Sequence, residues 1–284
     1  MMTKSRIKTW LLMLPGAGTL LSLVLLPLSL LLLFSLVTGN QISLSGALSF
    51  KNYLNIFKQG LFGPLMWKSI RMGLLVTASS ILIGYPVAYG LAKVVKPRWR
   101  NFLVVMIIIP FFTSQLLLIY SLMVMLQSQG PVMTFLALFG LDPTRSILYS
   151  NTAVYLILLY QFLPYMVLSL FSSLVKIDDN VVFAARSMGA SRRRVFIDII
   201  LPLTAPALLS GIILVFIPVA GSFVESNLAG GTKGMMIGSL IDSNFSVSLN
   251  MGRGCALCVL FLLIMSVLTF ILQRAIRYLE RRRL

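Results

Sequence analysis

Residues 177–209 read IDDNVVFAARSMGASRRRVFIDIILPLTAPALL, a polar and basic stretch between two strongly apolar ones. Asp178 or Asp179 can accept hydrogen bonds from the free N–H groups at the start of a helix. Gly189 can end that helix in the left-handed conformation, and Ser191 can cap a second helix. The stretch therefore predicts a helix, a turn and a helix in water, with an ordinary basic loop as the alternative.

The composition excludes a soluble globular domain. The chain has 284 residues, of which 58% are hydrophobic and 11% charged, and its mean hydropathy is +0.95. Soluble domains carry about a quarter charged residues. We therefore expect a polytopic membrane protein, in which the net charge of +17 reflects basic cytoplasmic loops rather than a nucleic-acid partner.

Six apolar runs are long enough to cross a hydrocarbon core of about 30 Å as helices. They lie near Leu11–Thr38, Ile70–Val94, Phe102–Leu126, Thr152–Leu174, Ala207–Phe223 and Gly254–Leu272. Only helices satisfy every backbone group at these lengths, so the sequence predicts an all-α membrane protein with six transmembrane helices. The first run is too long for a signal peptide and is expected to be retained.

The basic residues predict the orientation of these spans. If the N-terminus is inside, few of the 24 Lys and Arg residues lie on outer segments: Lys51, Lys58, Lys68, Arg71, Arg145, Lys233 and Arg253. All the others lie on inner segments, which is the bias of cytoplasmic loops. Both termini should then be cytoplasmic, and residues 177–209 should begin in the last cytoplasmic loop.

Prolines recur near the middle or outer part of five spans. They are Pro27, Pro86, Pro110, Pro164 and Pro218. A proline inside a membrane helix frees a carbonyl and bends the helix. A single proline more often marks a packing kink, but five together favour bent helices around a cavity. Pro202 is expected to interrupt the helix that follows Ser191.

Polar side chains within two spans are candidates for a solute pathway. They are Gln115 and Tyr120 in the third span and Tyr160, Gln161 and Tyr165 in the fourth. An amide at mid-membrane depth is costly unless it faces protein or water. Interhelical hydrogen bonding is an equally good interpretation of each residue.

Glu225 is the only acidic residue at the end of a span. A carboxylate near the outer mouth could attract a cationic solute. An ion pair with Arg253 or Lys233 is the slightly favoured alternative.

The sequence offers no catalytic or nucleotide-binding pattern. It lacks G-x-x-x-x-G-K-[ST], so the chain should not bind ATP phosphates by itself. No span pairs carboxylates or a nucleophile with a base, so catalysis is not expected. Cys255 and Cys258 lie inside an apolar run, which favours packing over a metal or redox site. The energy for any transport must therefore come from a partner protein or an ion gradient.

Ala184-Ala185, Gly189 and Leu201-Pro202 stand at a characteristic spacing. They resemble the shared cytoplasmic motif of permease subunits from bacterial binding-protein-dependent ABC importers. That family begins the motif with a glutamate, and this chain has Phe183 instead. The resemblance extends over nearly the whole chain and is closest to spermidine/putrescine-type permeases. It implies the type I ABC importer permease fold.

The resemblance also implies partners, location and site residues. The partners are a cytoplasmic ATPase dimer that binds ATP and Mg, a second homologous permease subunit, a periplasmic substrate-binding protein and membrane lipid, but no nucleic acid. The location is the bacterial inner membrane. The implied ATPase-coupling residues are Asp179, Phe183, Ala184, Ala185, Arg186, Gly189 and Arg192. The implied organisation is a first helix with a periplasmic segment (1–65), a transmembrane core (66–275) with a coupling helix near 178–190, and a basic tail (276–284).

We therefore predict a permease subunit that passes a small solute, with a polyamine such as spermidine or putrescine favoured. Polyamine-type relatives often carry an arginine where this chain has Leu118, so an opine, an amino-acid derivative or a phosphonate is the alternative. An ion-coupled secondary transporter acting alone would need ionisable residues in mid-span, and these are missing. A membrane scaffold without transport is a further rival.

Overall fold

The computed structural model describes residues 2–37, 48–138, 140 and 146–281, and this part of the chain is helical, with one isolated β-bridge between Val37 and Leu48 and no strand. The α-helices are α1 Met2–Leu36, α2 Lys51–Lys58, α3 Phe62–Tyr89, α4 Pro97–Ile108, α5 Gln115–Leu126, α6 Pro131–Ala137, α7 Asn151–Leu174, α8 Asp179–Ser187, α9 Arg192–Arg194, α10 Leu201–Ala220, α11 Val224–Ala229, α12 Gly231–Gly234, α13 Ile237–Ser246 and α14 Met251–Arg281. Two π-helices, Gly90–Val94 and Val195–Ile200, extend α3 and precede α10.

Six segments of the described chain are long and apolar enough to cross a membrane, which confirms the predicted number. They are Gly18–Leu36, Phe62–Val94, Gln115–Phe135, Asn151–Leu174, Arg192–Ala220 and Met251–Arg274. The end of the predicted basic tail, 282–284, lies outside the described residues.

The third predicted span is not one helix. The chain passes from α4 into a 3-10 turn at Ile109–Phe112, becomes extended at Thr113 (ψ 139°) and starts again as α5 at Gln115. Pro110 has no N–H to donate to the preceding turn, so the α-helical ladder is lost there. The prediction of a continuous helix over 102–126 was therefore wrong, and the break places polar backbone inside the apolar run.

The fifth span starts earlier than predicted because Pro202 does not interrupt it. The helix runs from Arg192 through the π-helical segment Val195–Ile200 into α10. Pro202 stands in the first turn of α10, where the hydrogen-bonding pattern changes from π to α. Pro202 has no N–H to donate to the preceding turn, and the π-helical segment lies just before it, where the regular α-helical bonding is already lost.

The chain divides into two compact units, of which the first comprises Met1–Gly63 and Ile241–Ile264. In it, Asn52 Nδ2 donates to the carbonyls of Ser35 and Val37, each at 2.9 Å, and thereby holds α2 against the end of α1. A Cβ on Gly252 would lie 2.5 Å from the Val37 carbonyl oxygen, so glycine permits this close approach. The sequence KNYLNIFK thus forms the short helix α2.

The second unit comprises Pro64–Leu240 and Met265–Leu284. Its centre is the packing of α7 against α10, where Met166 is fully buried. A Cβ on Gly211 would lie 2.7 Å from Met166 Sδ, so this glycine lets the two helices approach closely. Tyr85 and Thr204 share a buried 2.7 Å hydrogen bond between their hydroxyl groups. All of the candidate site residues belong to this unit.

Candidate functional site

The segment after α7 forms the capped helix that the sequence predicted. The Asp178 carboxylate accepts a 2.9 Å hydrogen bond from the Asn180 N–H at the start of α8. Ser191 Oγ accepts from the Arg194 N–H at the start of α9. Because each cap is a contact over two or three residues, local sequence was sufficient to place both helix starts.

Gly189 ends α8 with a φ of +87°. The Gly189 N–H donates to the Arg186 carbonyl at 2.9 Å, and the Ala190 N–H donates to the Ala185 carbonyl at 3.1 Å. This pair of bonds is the Schellman arrangement, which satisfies the last carbonyls of a helix and requires the left-handed conformation at the glycine. Three of the predicted coupling residues, Ala185, Arg186 and Gly189, thus form one structural motif.

Lys93 ties α8 to the end of the second span. Its ammonium group donates to the Asp179 carboxylate at 2.6 Å and to the Ile177 carbonyl at 2.5 Å. The Lys93 side chain is 12% exposed, whereas that of Asp179 is 84% exposed. A cavity of about 310 Å³ adjoins this ion pair and is lined by Tyr89, Lys93, Asp179, Val182, Phe183, Arg186 and Ile200. Sequence reasoning had named Asp179 but missed its partner.

Most of the predicted coupling residues lie on the surface. Ala185 is buried against the core of the second unit. The exposed ones are Asp179, Phe183, Ala184, Arg186, Gly189 and Arg192. One face of α8 is thus anchored and the other is free to contact another protein.

We expect Lys93→Met to loosen α8 without unfolding the chain. The change removes an ion pair that is exposed on the Asp179 side, worth up to about 1 kcal/mol. It also removes the donor to the Ile177 carbonyl. In hydrogen–deuterium exchange, peptides covering 178–190 should exchange about fivefold faster, since 1.4 kcal/mol corresponds to a factor of ten. The matched control is Lys176→Met, because Lys176 is exposed and its side chain forms no hydrogen bond or ion pair with the described residues. Equal exchange in both variants would contradict the anchoring role of Lys93.

A second group of predicted residues surrounds the buried carboxylate of Glu225, which is 2% exposed. Gln115 Nε2 donates to one carboxylate oxygen at 2.9 Å, and the Ser222 hydroxyl donates to the other. Neither donor carries a charge, and Glu225 forms no ion pair with any described residue. The favoured alternative of a pair with Arg253 or Lys233 was therefore wrong, since the Arg253 guanidinium donates to Gln59 instead.

The short helices after the fifth span hold Glu225 in place. The Ser226 hydroxyl donates to the Gly234 carbonyl at 2.7 Å, and Ser239 donates to Ser226 at 2.8 Å. Both serines are buried. A Cβ on Gly238 would lie 2.5 Å from the Gly221 carbonyl oxygen, so only glycine permits this approach of α13 to the end of α10. The glycines of this segment therefore fold it tightly around the carboxylate.

The helix break in the third span opens a cavity of about 150 Å³ beside this carboxylate. Its lining residues are Pro110, Phe111, Thr113, Gln115, Leu118, Gln161 and Tyr165. Gln161 Oε1 is buried there and has no hydrogen-bond partner among the described residues. The Phe111 and Tyr165 rings lie 4.6 Å apart between their centroids. Gln115 thus belongs to both the cavity and the carboxylate cluster.

The structure brings four of the six predicted pathway residues together and leaves two outside. Gln115, Gln161 and Tyr165 line the cavity, and Glu225 is bonded to Gln115. Tyr120 and Tyr160 are about half exposed and do not line it. Ser222 and Thr113 were not singled out from the sequence, although Pro110 was a signal for the break.

Comparison with known proteins identifies the family of this architecture. The family described as "Binding-protein-dependent transport system inner membrane component" matches residues 80–284. The "Spermidine/putrescine transport system permease protein PotB" of Haemophilus influenzae is 35% identical over 266 residues, covering 93% of this chain and 92% of that protein. The corresponding PotB of Escherichia coli is 33% identical over 267 residues, covering 93% and 96%.

A solved structure has the same fold. It is the crystal structure of a bacterial ABC transporter involved in the import of the acidic polysaccharide alginate. The superposition with one of its chains has a TM-score of 0.73 at 17% identity, and it covers 99% of this chain and 98% of that chain. The predicted type I importer permease fold is thereby confirmed.

Proposed function

From the premise that the chain belongs to the binding-protein-dependent transport system inner membrane components, and is a permease subunit of an ABC importer, we propose that it passes a polyamine such as spermidine or putrescine. The observation that carries the proposal is the buried Glu225 carboxylate, which has two neutral donors and no protein cation. A buried carboxylate is stable as an anion only with a counter-charge or several hydrogen bonds. The ammonium group of a passing polyamine would supply that counter-charge.

The cavity beside Glu225 suits a cationic solute. None of its lining residues is basic. The Gln161 carbonyl oxygen has no donor among the described residues, and Phe111 and Tyr165 line the same cavity, where an aromatic ring can bind an ammonium group. A polyamine is a flexible chain with several such cations, so it could pass this point one ammonium at a time.

The energy source in this proposal is a separate ATPase dimer that binds ATP and Mg. The absence of a phosphate-binding loop in this sequence supports that division of labour. Helix α8 is the coupling helix, which contacts the ATPase in the cytoplasm. A second homologous permease subunit completes the pathway, and a periplasmic binding protein delivers the solute. Both termini are then cytoplasmic, and Glu225 lies toward the periplasmic side.

A second candidate solute class is anionic or zwitterionic, such as an opine, an amino-acid derivative or a phosphonate. It is favoured by a cavity of about 370 Å³ lined by Lys68, Arg71, Met72, Leu75, Asn151, Thr152 and Tyr155. Lys68 and Arg71 form no ion pair with any described residue, although the Lys68 ammonium donates to the Lys233 carbonyl. Asn151 and Thr152 begin α7, whose N-terminus carries a partial positive charge. This cavity would attract a carboxylate or phosphonate as Glu225 would attract an ammonium.

An uptake experiment with the whole transporter tests the proposal. Cells without endogenous polyamine uptake would express this chain with its ATPase, second permease and binding protein, and labelled spermidine, putrescine and an acidic opine would be offered separately. We expect energy-dependent polyamine uptake that disappears when this chain alone is omitted. Uptake of the opine but not of the polyamines would favour the second class. Uptake that persists without the ATPase would contradict an ATP-driven importer.

A further inference from the structure

The free face of α8 carries large apolar side chains that no described residue covers: Val181 is 46% exposed, and two others project further. Phe183 is 72% exposed, and Met188, the residue that follows the helix, is 83% exposed. Ala184 and Ser187 lie between them on the same face and are also exposed. Two bulky side chains with small ones between them form a pair of projections that a groove in another protein can receive.

This face cannot turn inward to bury its apolar side chains. Ala185 on the opposite face is buried, and Val182 packs partly buried against the same core. Lys93 fixes the first turn through Asp179, and the hydrogen bonds around Gly189 fix the end of the helix. The exposed phenyl and thioether groups are therefore a fixed feature of the surface.

Exposed arginines lie in the same segment as these apolar side chains. The exposed cations are Arg186, Arg192, Arg193 and Arg194. The acidic residues of the segment are Asp178, Asp179 and Asp198, of which Asp178 caps α8 and Asp179 is paired with Lys93. A partner that covers this surface must provide an apolar pocket, and acidic side chains around that pocket would match the arginines.

We propose that Phe183 and Met188 occupy an apolar pocket of the ATPase subunit whose rim is acidic. This proposal rests on the proposed function, because that function supplies the ATPase partner. A phenyl ring needs an apolar pocket, whereas a glutamate at the same position would need a basic or polar one. A protein groove is favoured over the membrane surface because α8 has only nine residues, and its few exposed apolar side chains bury too little area for stable lipid binding.

The test measures the affinity of the purified ATPase for the complete permease in lipid nanodiscs. Phe183→Glu and Met188→Glu should each weaken binding at least about tenfold, because each places a carboxylate in an apolar pocket with an acidic rim. Phe183→Leu should bind within about twofold of the unaltered permease, since it keeps the apolar contact. Val175→Glu is the matched control, because it adds the same charge at an exposed apolar residue outside α8. Retained assembly with the second permease subunit would show that each variant is folded.

The outcomes separate this inference from the proposed function. If the unaltered permease binds no ATPase, the proposed function fails. If it binds and Phe183→Glu binds equally well, the apolar pocket is wrong while the function stands. If Phe183→Glu leaves ATPase affinity unchanged and instead alters the dependence of transport on anionic lipid, the face contacts the membrane and the proposal is overturned. Tighter binding by Phe183→Glu would also overturn it, because the rim would then be basic.

Discussion

Replacement of Glu225 by glutamine should reduce polyamine uptake at least tenfold. The carboxylate is 2% exposed, and its hydrogen bonds come from Gln115 and Ser222, so it has no protein cation to neutralise it. Removal of one partner from a buried ion pair costs about 3–5 kcal/mol. In the proposed function the other partner is the ammonium group of the solute. In Glu225→Gln this ammonium group would pass the buried position without a counter-charge, and the barrier to its passage would rise. The glutamine side chain is nearly isosteric, so the fold of the α11 segment should survive.

The measurement is the initial rate of labelled spermidine uptake by cells that contain the complete transporter, with the amount of assembled complex determined in parallel. Asp242→Asn is the matched control, because it removes an acidic side chain outside the carboxylate cluster. Ser222→Ala should give a smaller reduction, since it removes one donor and keeps the charge. Full uptake by Glu225→Gln, with normal assembly, would show that the carboxylate is structural and would favour the cavity lined by Lys68 and Arg71 as the solute site.

The features that the sequence predicted correctly depend on contacts between near neighbours. Asp178, Ser191 and Gly189 act on backbone groups two or three residues away, and the rules for helix ends describe such contacts. The six spans follow from apolar length alone. The helical part of residues 177–209 could therefore be derived from a short stretch of sequence.

The features that the sequence did not predict depend on residues far apart in the chain. Lys93 meets Asp179 across 86 positions, and Gln115 meets Glu225 across 110. Periodicity carries no information about such pairs, so the nearest cation in sequence, Lys233, was wrongly favoured for Glu225. The break at Thr113 was missed because apolarity continues through it, and apolar length does not distinguish one helix from two.

The two sites make different demands on the backbone. The Glu225 cluster tolerates polar groups because glycines allow its short helices to pack closely, as Gly238 does against Gly221. Helix α8 instead depends on a single residue, Gly189, whose φ of +87° starts the turn toward α9. A change at Gly189 should therefore affect the transmission of motion rather than the solute pathway.

Replacement of Gly189 by valine should abolish uptake while the protein remains in the membrane. No atom lies within 4 Å of a Cβ built on Gly189, so the substitution creates no steric clash. Its cost is the left-handed conformation, which is about 1–3 kcal/mol for a residue other than glycine and is high for a β-branched one. This cost is large enough to open the Schellman hydrogen bonds of Arg186 and Ala185. The end of α8 would then lose the fixed geometry that the coupling role requires.

Gly189→Asn separates this backbone effect from any effect of side-chain size. Asparagine tolerates the left-handed conformation, and the open space around Gly189 accommodates its side chain, so this variant should keep most of the uptake. The comparison requires the two variants to be measured in the complete transporter, for uptake and for ATP hydrolysis stimulated by the loaded binding protein. Valine should lower both by more than tenfold relative to asparagine. If both variants are equally inactive, surface occupation rather than backbone conformation is the cause, and Gly189 itself contacts the ATPase. If both are fully active, α8 does not need a fixed end to couple the two proteins.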